Sequence, residues 1–361
     1  MSVLFDRSRS ICVVGFGAAT SIGTTAQSTV AAACAGIAGF SDHPSMIDRS
    51  GEPMIVAIAP YIDVNAVGED RFVALAGPAL REALQPAAGV LRDCTSVPAI
   101  VGLPERRPGV PESLPASLDV TFSEAAVQGV HISHSSTLSK GHSAGLMAMG
   151  LACETIRSGR SEFCLAGGVD SYMDPDTLDW LEKCDQLHKS DNAFGFIPGE
   201  AAGFCLLSSE EAAARHQLDV LGRLLCVEQA REEMPIKTST VCIGIGLTEA
   251  VHGVLRSLPS VDSRIHQTIC DQNGEAYRGD EFGFMMARST ERFEDSSNFR
   301  APADCWGDVG AASGPLFALL GAFEAAKGLY EASLTLLMTS SEAGDRAAGL
   351  LLTEPRRWGG A

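Results

Sequence analysis

Short apolar runs alternate along the chain with stretches of helical periodicity, which is the pattern of an α/β fold. Residues 11–16 (ICVVGF) and 97–103 (VPAIVGL) are apolar and rich in β-branched residues, so they predict buried strands. Residues 72–86 have apolar positions at helical spacing and predict a helix that ends before Pro86. The stretch 104–118 carries four prolines and predicts a surface loop.

A second series of elements begins at residue 141. The segment GHSAGLMAMGLACETIRSG predicts a helix that closes on Gly159, and SEFCLAGGVDS predicts a buried strand after it. DPDTLDWLEKC predicts a helix begun by Asp174 or Asp176. PGEAAGFCLLSS predicts a turn into another buried strand. We expect Glu200 in this turn to bind backbone amides or pair with an arginine.

The second half of the chain repeats this series. The spacing of 14 residues between Gly145 and Gly159 recurs between Gly314 and Gly328, which bound the helical segment PLFALLGAFEAAKG. The strand pattern AAGFCLLSSE recurs as AAGLLLTE. Such spaced self-similarity predicts two copies of one α/β unit.

We place the two copies at residues 1–215 and 216–361, related by a pseudo-twofold axis. Each copy has a glycine-led helix that is apolar nearly all round. A helix of this kind has to be buried between layers. The sequence therefore predicts two similar halves that enclose a pair of central helices.

Composition limits the classes of function. The formal net charge is −18, which repels phosphate backbones and argues against nucleic-acid binding. No apolar run reaches the roughly 20 residues of a membrane span, and the N-terminal residues lack a long apolar signal region, so we expect a cytoplasmic protein. Docking of an acidic partner would need a local basic patch, for which the candidates are Arg106, Arg107, Arg157, Arg160, Arg356 and Arg357.

The cysteines and glycines predict no metal or nucleotide cofactor. The 11 cysteines include no C-x-x-C pair, so we expect buried free thiols rather than a zinc site. Gly15 and Gly17 invite a dinucleotide-binding interpretation, but the third glycine position of G-x-G-x-x-G holds Thr20.

Residues 141–145 (GHSAG) fit the G-x-S-x-G motif of serine hydrolases, with Ser143 as the nucleophile. That motif needs a buried strand directly before the serine. Here the preceding residues HSSTLSK are polar, and they contain no run of four apolar residues. Small residues at this place also let a buried helix begin in close contact with its neighbours, and we favour that explanation.

Several segments together resemble the β-ketoacyl synthases of the thiolase superfamily. ICVVGFGAATSIG resembles their opening strand and turn, and GLMAMGLACETIRSGRSEFCLAGGVDS resembles the stretch from their active-site helix into the next strand. PGEAAGFCLL and GAASGPLFALLGAFEA resemble their P-G-E-G-A-G strand and the corresponding helix of the second half. The resemblance implies a five-layered αβαβα fold of two halves, nearly always dimeric.

The residues that carry catalysis in that family are replaced at the matched positions. Aligning the last glycine of C-A-T-G with Gly145 places His142 where the family has its nucleophilic cysteine, and Ser143 one residue later. Asn273, in DQNGEAYRGDE, matches the segment of the first family histidine. Asp308, in WGDVGAA, is nearest to the second, in a segment that is one residue shorter. The family loop that gates the acyl pocket is represented by SSEAGDRAA.

Each of these residues also has a structural interpretation. His142 can pack and hydrogen-bond in a former active site, and Asp308 can cap the helix near Gly310. Asn273 with the following glycine is equally a turn signal. If His142 is catalytic, we expect the helix dipole to keep its imidazole neutral, so that it acts as a base or a transient acyl acceptor.

Three hypotheses follow for function. The leading one is a non-condensing β-ketoacyl-synthase-like protein of fatty-acid or polyketide-type metabolism, similar to a chain-length factor. Its partners would be an acyl carrier protein or an acyl-CoA, within a homodimer or a heterodimer with an active ketosynthase. The second is an acyltransferase acting on such thioesters through His142, perhaps with Asn273 and Asp308. The third is a serine hydrolase acting through Ser143.

Overall fold

Two five-stranded units of the same topology form the protein. The structure, a computed structural model, describes residues 10–92, 96–124, 129–235, 240–258, 260–326 and 333–354. The strands in these ranges are β1 (Ile11–Thr20), β2 (Ser41–Ile47), β3 (Pro53–Val56), β4 (Val97–Leu103), β5 (Ile132–Ser139), β6 (Phe163–Ser171), β7 (Glu200–Ser209), β8 (Gly222–Arg231), β9 (Gln267–Cys270), β10 (Phe299–Arg300), β11 (Ser333–Ser340) and β12 (Asp345–Thr353).

The α-helices of the described ranges separate these strands. They are α1 (Ala26–Cys34), α2 (Glu69–Leu84), α3 (Ala88–Leu91), α4 (Leu114–Glu124), α5 (Ala144–Arg157), α6 (Pro175–Lys183), α7 (Glu210–Arg215), α8 (Ile245–Arg256), α9 (Ala276–Ser289), α10 (Ala303–Trp306) and α11 (Ser313–Ala326). None of them combines the length and apolarity that crossing a membrane requires.

The strand order is the same in both units. It is β5-β4-β6-β7-β1 in the first and β10-β9-β11-β12-β8 in the second. In each unit the first three strands in this order run parallel to one another. The third, fourth and fifth strands are each antiparallel to the next. A short antiparallel pairing of Ile11–Val13 with Gly222–Leu224 joins the two units edge to edge. The predicted structural repeat is therefore confirmed, while the division at residues 215 and 216 stays a prediction.

Helices α5 and α11 form the central layer, between the two half-sheets. Helix α5 contacts β4 and β6 of the first unit and β8 of the second, and α11 contacts β11, β12 and β7. Helix α2 covers the outer face of the first half-sheet, and α8 covers that of the second. The expected five-layered, thiolase-like arrangement is confirmed. The central helices are buried on nearly every side, which explains why their sequences lack a polar face.

Glycines allow the two central helices to touch. A Cβ atom on Gly145 would lie 2.3 Å from the carbonyl oxygen of Ala311 and 2.7 Å from Pro315 Cδ. A Cβ on Gly314 would lie 2.5 Å from the backbone nitrogen of Leu146. Both distances are shorter than real Cβ contacts, so only glycine permits this approach of one helix to the other.

Gly15 and Gly17 have a packing role as well. Both lie inside β1 rather than in a phosphate-binding turn. Their Cβ atoms would come within 2.2 Å of Ala83 O and 1.8 Å of Ala79 O in α2. Close contact between strand and helix therefore accounts for these glycines without a dinucleotide.

Most of the local predictions agree with the structure, with one error in the proline-rich stretch. Residues 97–103 form β4, and the helix predicted over 72–86 begins slightly earlier, at Glu69. Asp174 caps α6, and its side chain accepts from the Asp176 N–H. The predicted loop 104–118 is too long, because α4 begins at Leu114 and tolerates Pro115 in its first turn, where no N–H donor is needed. The predicted helix end at Gly328 lies outside the described residues.

The contact between the central helices predicts opposite effects for two Gly→Ala changes. Gly145→Ala forces a methyl group against Ala311 and should lower the free energy of unfolding by about 2 kcal/mol. Gly279→Ala is the control, because Gly279 is helical, exposed and has nothing within 4 Å of a new Cβ. It should raise stability by about 0.5–1 kcal/mol. Urea unfolding measures both, and equal stability of the two variants would contradict the helix contact.

Candidate functional site

The start of each central helix contributes to a polar cluster between the two units. His142 lies in a 3₁₀ turn, Gly141–Ser143, that leads into α5, and it is only 5% exposed. Asp308 precedes the corresponding 3₁₀ turn, Gly310–Ala312, that leads into α11, and it is 4% exposed. Gly141 has a φ of +59°, which allows the chain to turn from β5 into the helix. The two side chains meet because their helices are in contact.

Asp308 is the acceptor at the centre of this cluster. His142 Nε2 lies 2.8 Å from Asp308 Oδ1 and 2.9 Å from Oδ2. Asn273 Nδ2 donates to Oδ2 at 2.6 Å, the Gly310 N–H donates to Oδ1 at 2.9 Å, and the Tyr172 hydroxyl lies 3.4 Å from Oδ1. Because an ionised carboxylate only accepts, His142 Nε2 carries a proton and donates it. The structure thus brings His142, Asp308 and Asn273 together.

Arg278 of α9 lies on the other side of His142. Its Nη2 atom is 3.2 Å from His142 Nε2. Asp271 at 2.9 Å, Glu275 at 3.1 Å and the Ser340 carbonyl oxygen at 2.7 Å hold the guanidinium in place. Sequence reasoning missed Arg278, although it lies in the segment matched to the family, because the sequence does not reveal which face of α9 turns inward.

The charges around His142 favour its protonated form. Burial, the largest single effect, lowers the pKa of His142 and Arg278 lowers it too, but the Asp308 carboxylate, its hydrogen bond and Asp271 raise that pKa above the ordinary value. Burial raises the pKa of Asp308, yet His142, Arg278 and the Gly310 N–H hold it well below its usual range. This direction is opposite to the one expected from the helix dipole, because a carboxylate in direct contact outweighs the dipole.

Ser143 points away from His142 and is used structurally. It is fully buried, and its hydroxyl lies 3.1 Å from the Thr339 carbonyl oxygen and 3.0 Å from that of Asp345. Its N–H donates to Ser341 Oγ at 2.9 Å. A hydroxyl shared between two carbonyls and not bonded to an imidazole is not an activated nucleophile. The serine-hydrolase hypothesis is therefore not supported by this geometry.

The polar stretch before Ser143 does form a strand, contrary to our expectation. It is β5, which pairs with β4 and lies at the end of the sheet in the described residues. An edge strand needs no continuous apolar run, because one of its sides is not covered by another strand. Lys140 and the 3₁₀ turn lie between β5 and α5, and Ser143 ends this turn with its hydroxyl directed at backbone carbonyls.

A small polar cavity of about 40 Å³ reaches His142. Arg107 lines it, donates to Asp170 at 2.5 Å, and stacks 4.1 Å above the ring of Tyr172. Glu342, from the segment matched to the gating loop, lines it too. Since one water needs roughly 10–15 Å³, this cavity admits a few waters and no acyl chain.

Among the candidate arginines that the structure describes, Arg106, Arg107 and Arg157 do not form the basic patch suggested by the sequence. Arg107 is buried in the pair with Asp170, and Arg157 donates to the Leu225 carbonyl oxygen. Arg106 is exposed and pairs with Glu112. Arg356 and Arg357 lie outside the described residues.

Glu200 is a structural carboxylate, as expected. It accepts from the Ala59 N–H at 2.7 Å and from the Ser171 hydroxyl at 2.8 Å. Arg71 pairs with both of its oxygens. The group anchors the start of β7 to Arg71 of α2 and to Ala59, which follows β3.

The buried cysteines of the described residues are poor nucleophiles. Eight of the ten described free thiols are buried. Burial raises the pKa of Cys153 and of Cys270 to about 12, and it raises that of Cys305 as well. A thiolate is the reactive form, so these thiols are not activated.

One group of buried side chains has metal-ligand composition. Oxygen and sulfur atoms of Glu232, Cys242 and Glu281 lie within 4.8 Å of one another. Arg346 Nε binds Glu281 at 2.7 Å, and the Gly246 N–H binds Glu232 at 2.8 Å. The guanidinium supplies the positive charge that a cation would supply, so this donor set does not fit a metal ion.

Comparison with known proteins confirms the resemblance. Residues 133–213 match the family model "Beta-ketoacyl synthase, N-terminal domain". Three solved structures share the fold with 12–20% identity, so they inform the fold alone. The ketosynthase-type, thiolase-like fold is thereby established for this chain.

The first of these is described as "AntDE:AntF (apo): type II PKS acyl-carrier protein in complex with its ketosynthase bound to the hexaketide", with a TM-score of 0.77, 15% identity, and coverage of 96% of this chain and 99% of that one. The second is "the ishigamide ketosynthase/chain length factor", with a TM-score of 0.68 and 20% identity. The match covers 95% of this chain and 99% of that one. The third is the module 6 ketosynthase of the bacillaene synthase from Bacillus subtilis 168, with a TM-score of 0.74 and 12% identity. The match covers 96% of this chain and 70% of that one.

The ion pair of His142 and Asp308 predicts a pH-dependent stability. Because folding raises the pKa of His142, this residue stabilises the folded state fully below about pH 6.5. That stabilisation is lost as the pH rises through the pKa of His142 in the folded protein. Because folding lowers the pKa of Asp308, this residue stabilises the folded state above about pH 4. That stabilisation is lost in acid, as the carboxylate becomes protonated. Asp308→Asn should therefore cost about 3 kcal/mol near pH 5–6 and less at pH 9.

Urea unfolding of both proteins across this pH range measures the difference. Asp179→Asn is the control, because its pair with Lys183 is more than half exposed and its loss should cost below about 0.5 kcal/mol. A difference between wild type and Asp308→Asn that is no smaller at pH 9 than at pH 5–6 would contradict the ion pair.

Proposed function

We propose that this chain is a non-condensing β-ketoacyl-synthase-like subunit of fatty-acid or polyketide-type metabolism that pairs with an active, cysteine-bearing ketosynthase. One observation carries the proposal. At the start of α5, where the resemblance implies a thiolate, His142 donates to both oxygens of Asp308. This position is occupied by an ion pair rather than by a nucleophile.

The described residues of this site offer no activated nucleophile for condensation. Thioester transfer needs a group with a free electron pair, and the raised pKa of His142 favours the protonated imidazole, which has none. Ser143 is committed to backbone carbonyls, and the described thiols near the core have raised pKa values. The charged pair therefore supports a structural role for the former nucleophile position.

The second half of the site also argues against condensation. Two histidines of the family stabilise the developing carbanion, and their matched positions hold Asn273 and Asp308. The Asn273 amide group donates to Asp308 and to Glu275, so its hydrogens are already used. Asp308 is an anion and would destabilise further negative charge. The cavity of about 40 Å³ beside His142 leaves no room for a growing chain.

The partner assignment is supported by the fold and by the comparisons. Strand β5 pairs only with β4 among the described strands, so its other side is available to a strand of a second subunit. One structural neighbour is a ketosynthase/chain length factor, and another is an acyl-carrier protein complex with its ketosynthase. We propose a heterodimer of this kind in the cytoplasm, in which this chain supplies a dimer face.

The remaining candidate is an acyltransferase that uses His142 on acyl-carrier or acyl-CoA thioesters. It would require the imidazole to lose a proton and leave the charge pair with Asp308. The raised pKa of His142 opposes that step at neutral pH. We therefore treat it as an outcome of the test below.

Intact-mass spectrometry after incubation with acetyl-CoA, malonyl-CoA and the corresponding acyl-carrier proteins tests the absence of acylation. We expect no stable adduct on this chain, while a cysteine-bearing ketosynthase under identical conditions gains one acyl group. Co-expression of the two chains should yield a one-to-one complex by light scattering. The variant His142→Gln should keep the complex intact, because its proposed role needs no reaction at residue 142.

Three results would overturn the proposal or its partner assignment. A stable acyl adduct on any residue of the wild-type chain, absent in His142→Gln, would establish the acyltransferase. Condensation product formed by this chain alone from malonyl thioesters would exclude a non-condensing role. Failure to associate with any cysteine-bearing ketosynthase encoded beside it would remove the partner assignment.

A further inference from the structure

A cationic cavity lies on the outer layer of the second unit, away from the His142 cluster. It lies between α8 and the end of α9 and has a volume of about 330 Å³. Its lining consists of His252, Leu255, Arg256, Arg288, Ser289 and Arg292. Three arginines around one cavity stand out in a chain whose net charge is −18.

These guanidinium groups are not neutralised by acidic side chains. Within the ranges that the structure describes, no carboxylate lies within ion-pair distance of Arg256, Arg288 or Arg292. Arg288 donates only to neutral oxygens, the Ile243 carbonyl at 2.7 Å and the Thr248 hydroxyl at 3.0 Å. The cavity is therefore a concentration of uncompensated positive charge.

Two buried polar atoms of the lining have no hydrogen-bond partner. Ser289 is 4% exposed, and its hydroxyl oxygen is unpaired. The Nε atom of Arg292 is also buried and unpaired. Buried polar groups are almost always hydrogen-bonded, because leaving one unpaired costs its full desolvation. Both residues line the cavity, so an acceptor bound there is a candidate partner for these atoms.

Helix-terminal placement explains only part of this cluster. Arg256 and Arg288 lie in the last turns of α8 and α9, where a positive charge stabilises the helix dipole. That explanation does not cover Arg292, which lies in the 3₁₀ turn after α9, and it does not cover the unpaired hydroxyl of Ser289. Both are explained if the cavity holds an anion.

We propose that this cavity binds the phosphate group of a small organic phosphate. Guanidinium groups and a hydroxyl present donors to an acceptor-only, doubly charged group, and the planar guanidinium matches phosphate oxygens in pairs. Leu255 provides an apolar wall for the organic part. A volume of about 330 Å³ falls at the lower end of the range of small-molecule sites, roughly 300–1,000 Å³. The site is separate from the proposed ketosynthase-like role and does not depend on it.

Equilibrium dialysis of the full chain with glycerol 3-phosphate, orthophosphate and glycerol, at constant ionic strength, tests the site. Both phosphates should bind saturably, and glycerol should not bind. Tighter binding of glycerol 3-phosphate would identify a phosphate ester as the ligand, whereas equal binding would identify free phosphate. Arg292→Gln should weaken binding about tenfold and Ser289→Ala about threefold, as expected for the loss of contacts to a charged group.

Arg81→Gln is the matched control. Arg81 is exposed in the last turn of α2, so this variant removes the same charge at the same kind of helix position, far from the cavity. Its binding should stay within twofold of wild type. The proposal is overturned if neither phosphate binds saturably, if glycerol competes equally, or if Arg81→Gln and Arg292→Gln weaken binding by the same factor. Ser289→Ala keeps the test decisive if Arg292→Gln fails to fold.

Discussion

The close contact of α5 and α11 is the constraint on which the rest of the structure depends. Gly145 and Gly314 let each helix rest against the backbone of the other. This contact brings the starts of the two helices together at the boundary of the units, and it places His142 and Asp308 at hydrogen-bond distance. A larger residue at either glycine would separate the helices and the two halves of the site at once.

The same boundary explains the charge state of the site. Asp308, Arg278 and Asp271 reach the cluster from different elements of the second unit, while His142 comes from the first. Buried charges are tolerated only when they are paired and hydrogen-bonded, and here nearly every polar atom has a partner. A cluster so fully satisfied is suited to holding the units together.

A conserved architecture can therefore carry a different chemistry. The strand order, the buried central helices and the match over residues 133–213 all belong to the ketosynthase type. Function resides in the site, however, and a fold alone does not imply an activity. Within this fold, an imidazole paired with a carboxylate occupies the position where the resemblance implies a sulfur nucleophile.

The sequence alone determined the fold class, the repeat and most element types, because apolar periodicity and the two glycine-led segments are local features. It also pointed to His142, Asn273 and Asp308, through their matched positions. Tertiary structure alone decided that these three meet, that Arg278 joins them, and that Ser143 faces the backbone of β11 and β12. The protonation of His142 followed only from that packing, because the charge on an imidazole depends on neighbours that lie 136 and 166 residues away in the chain.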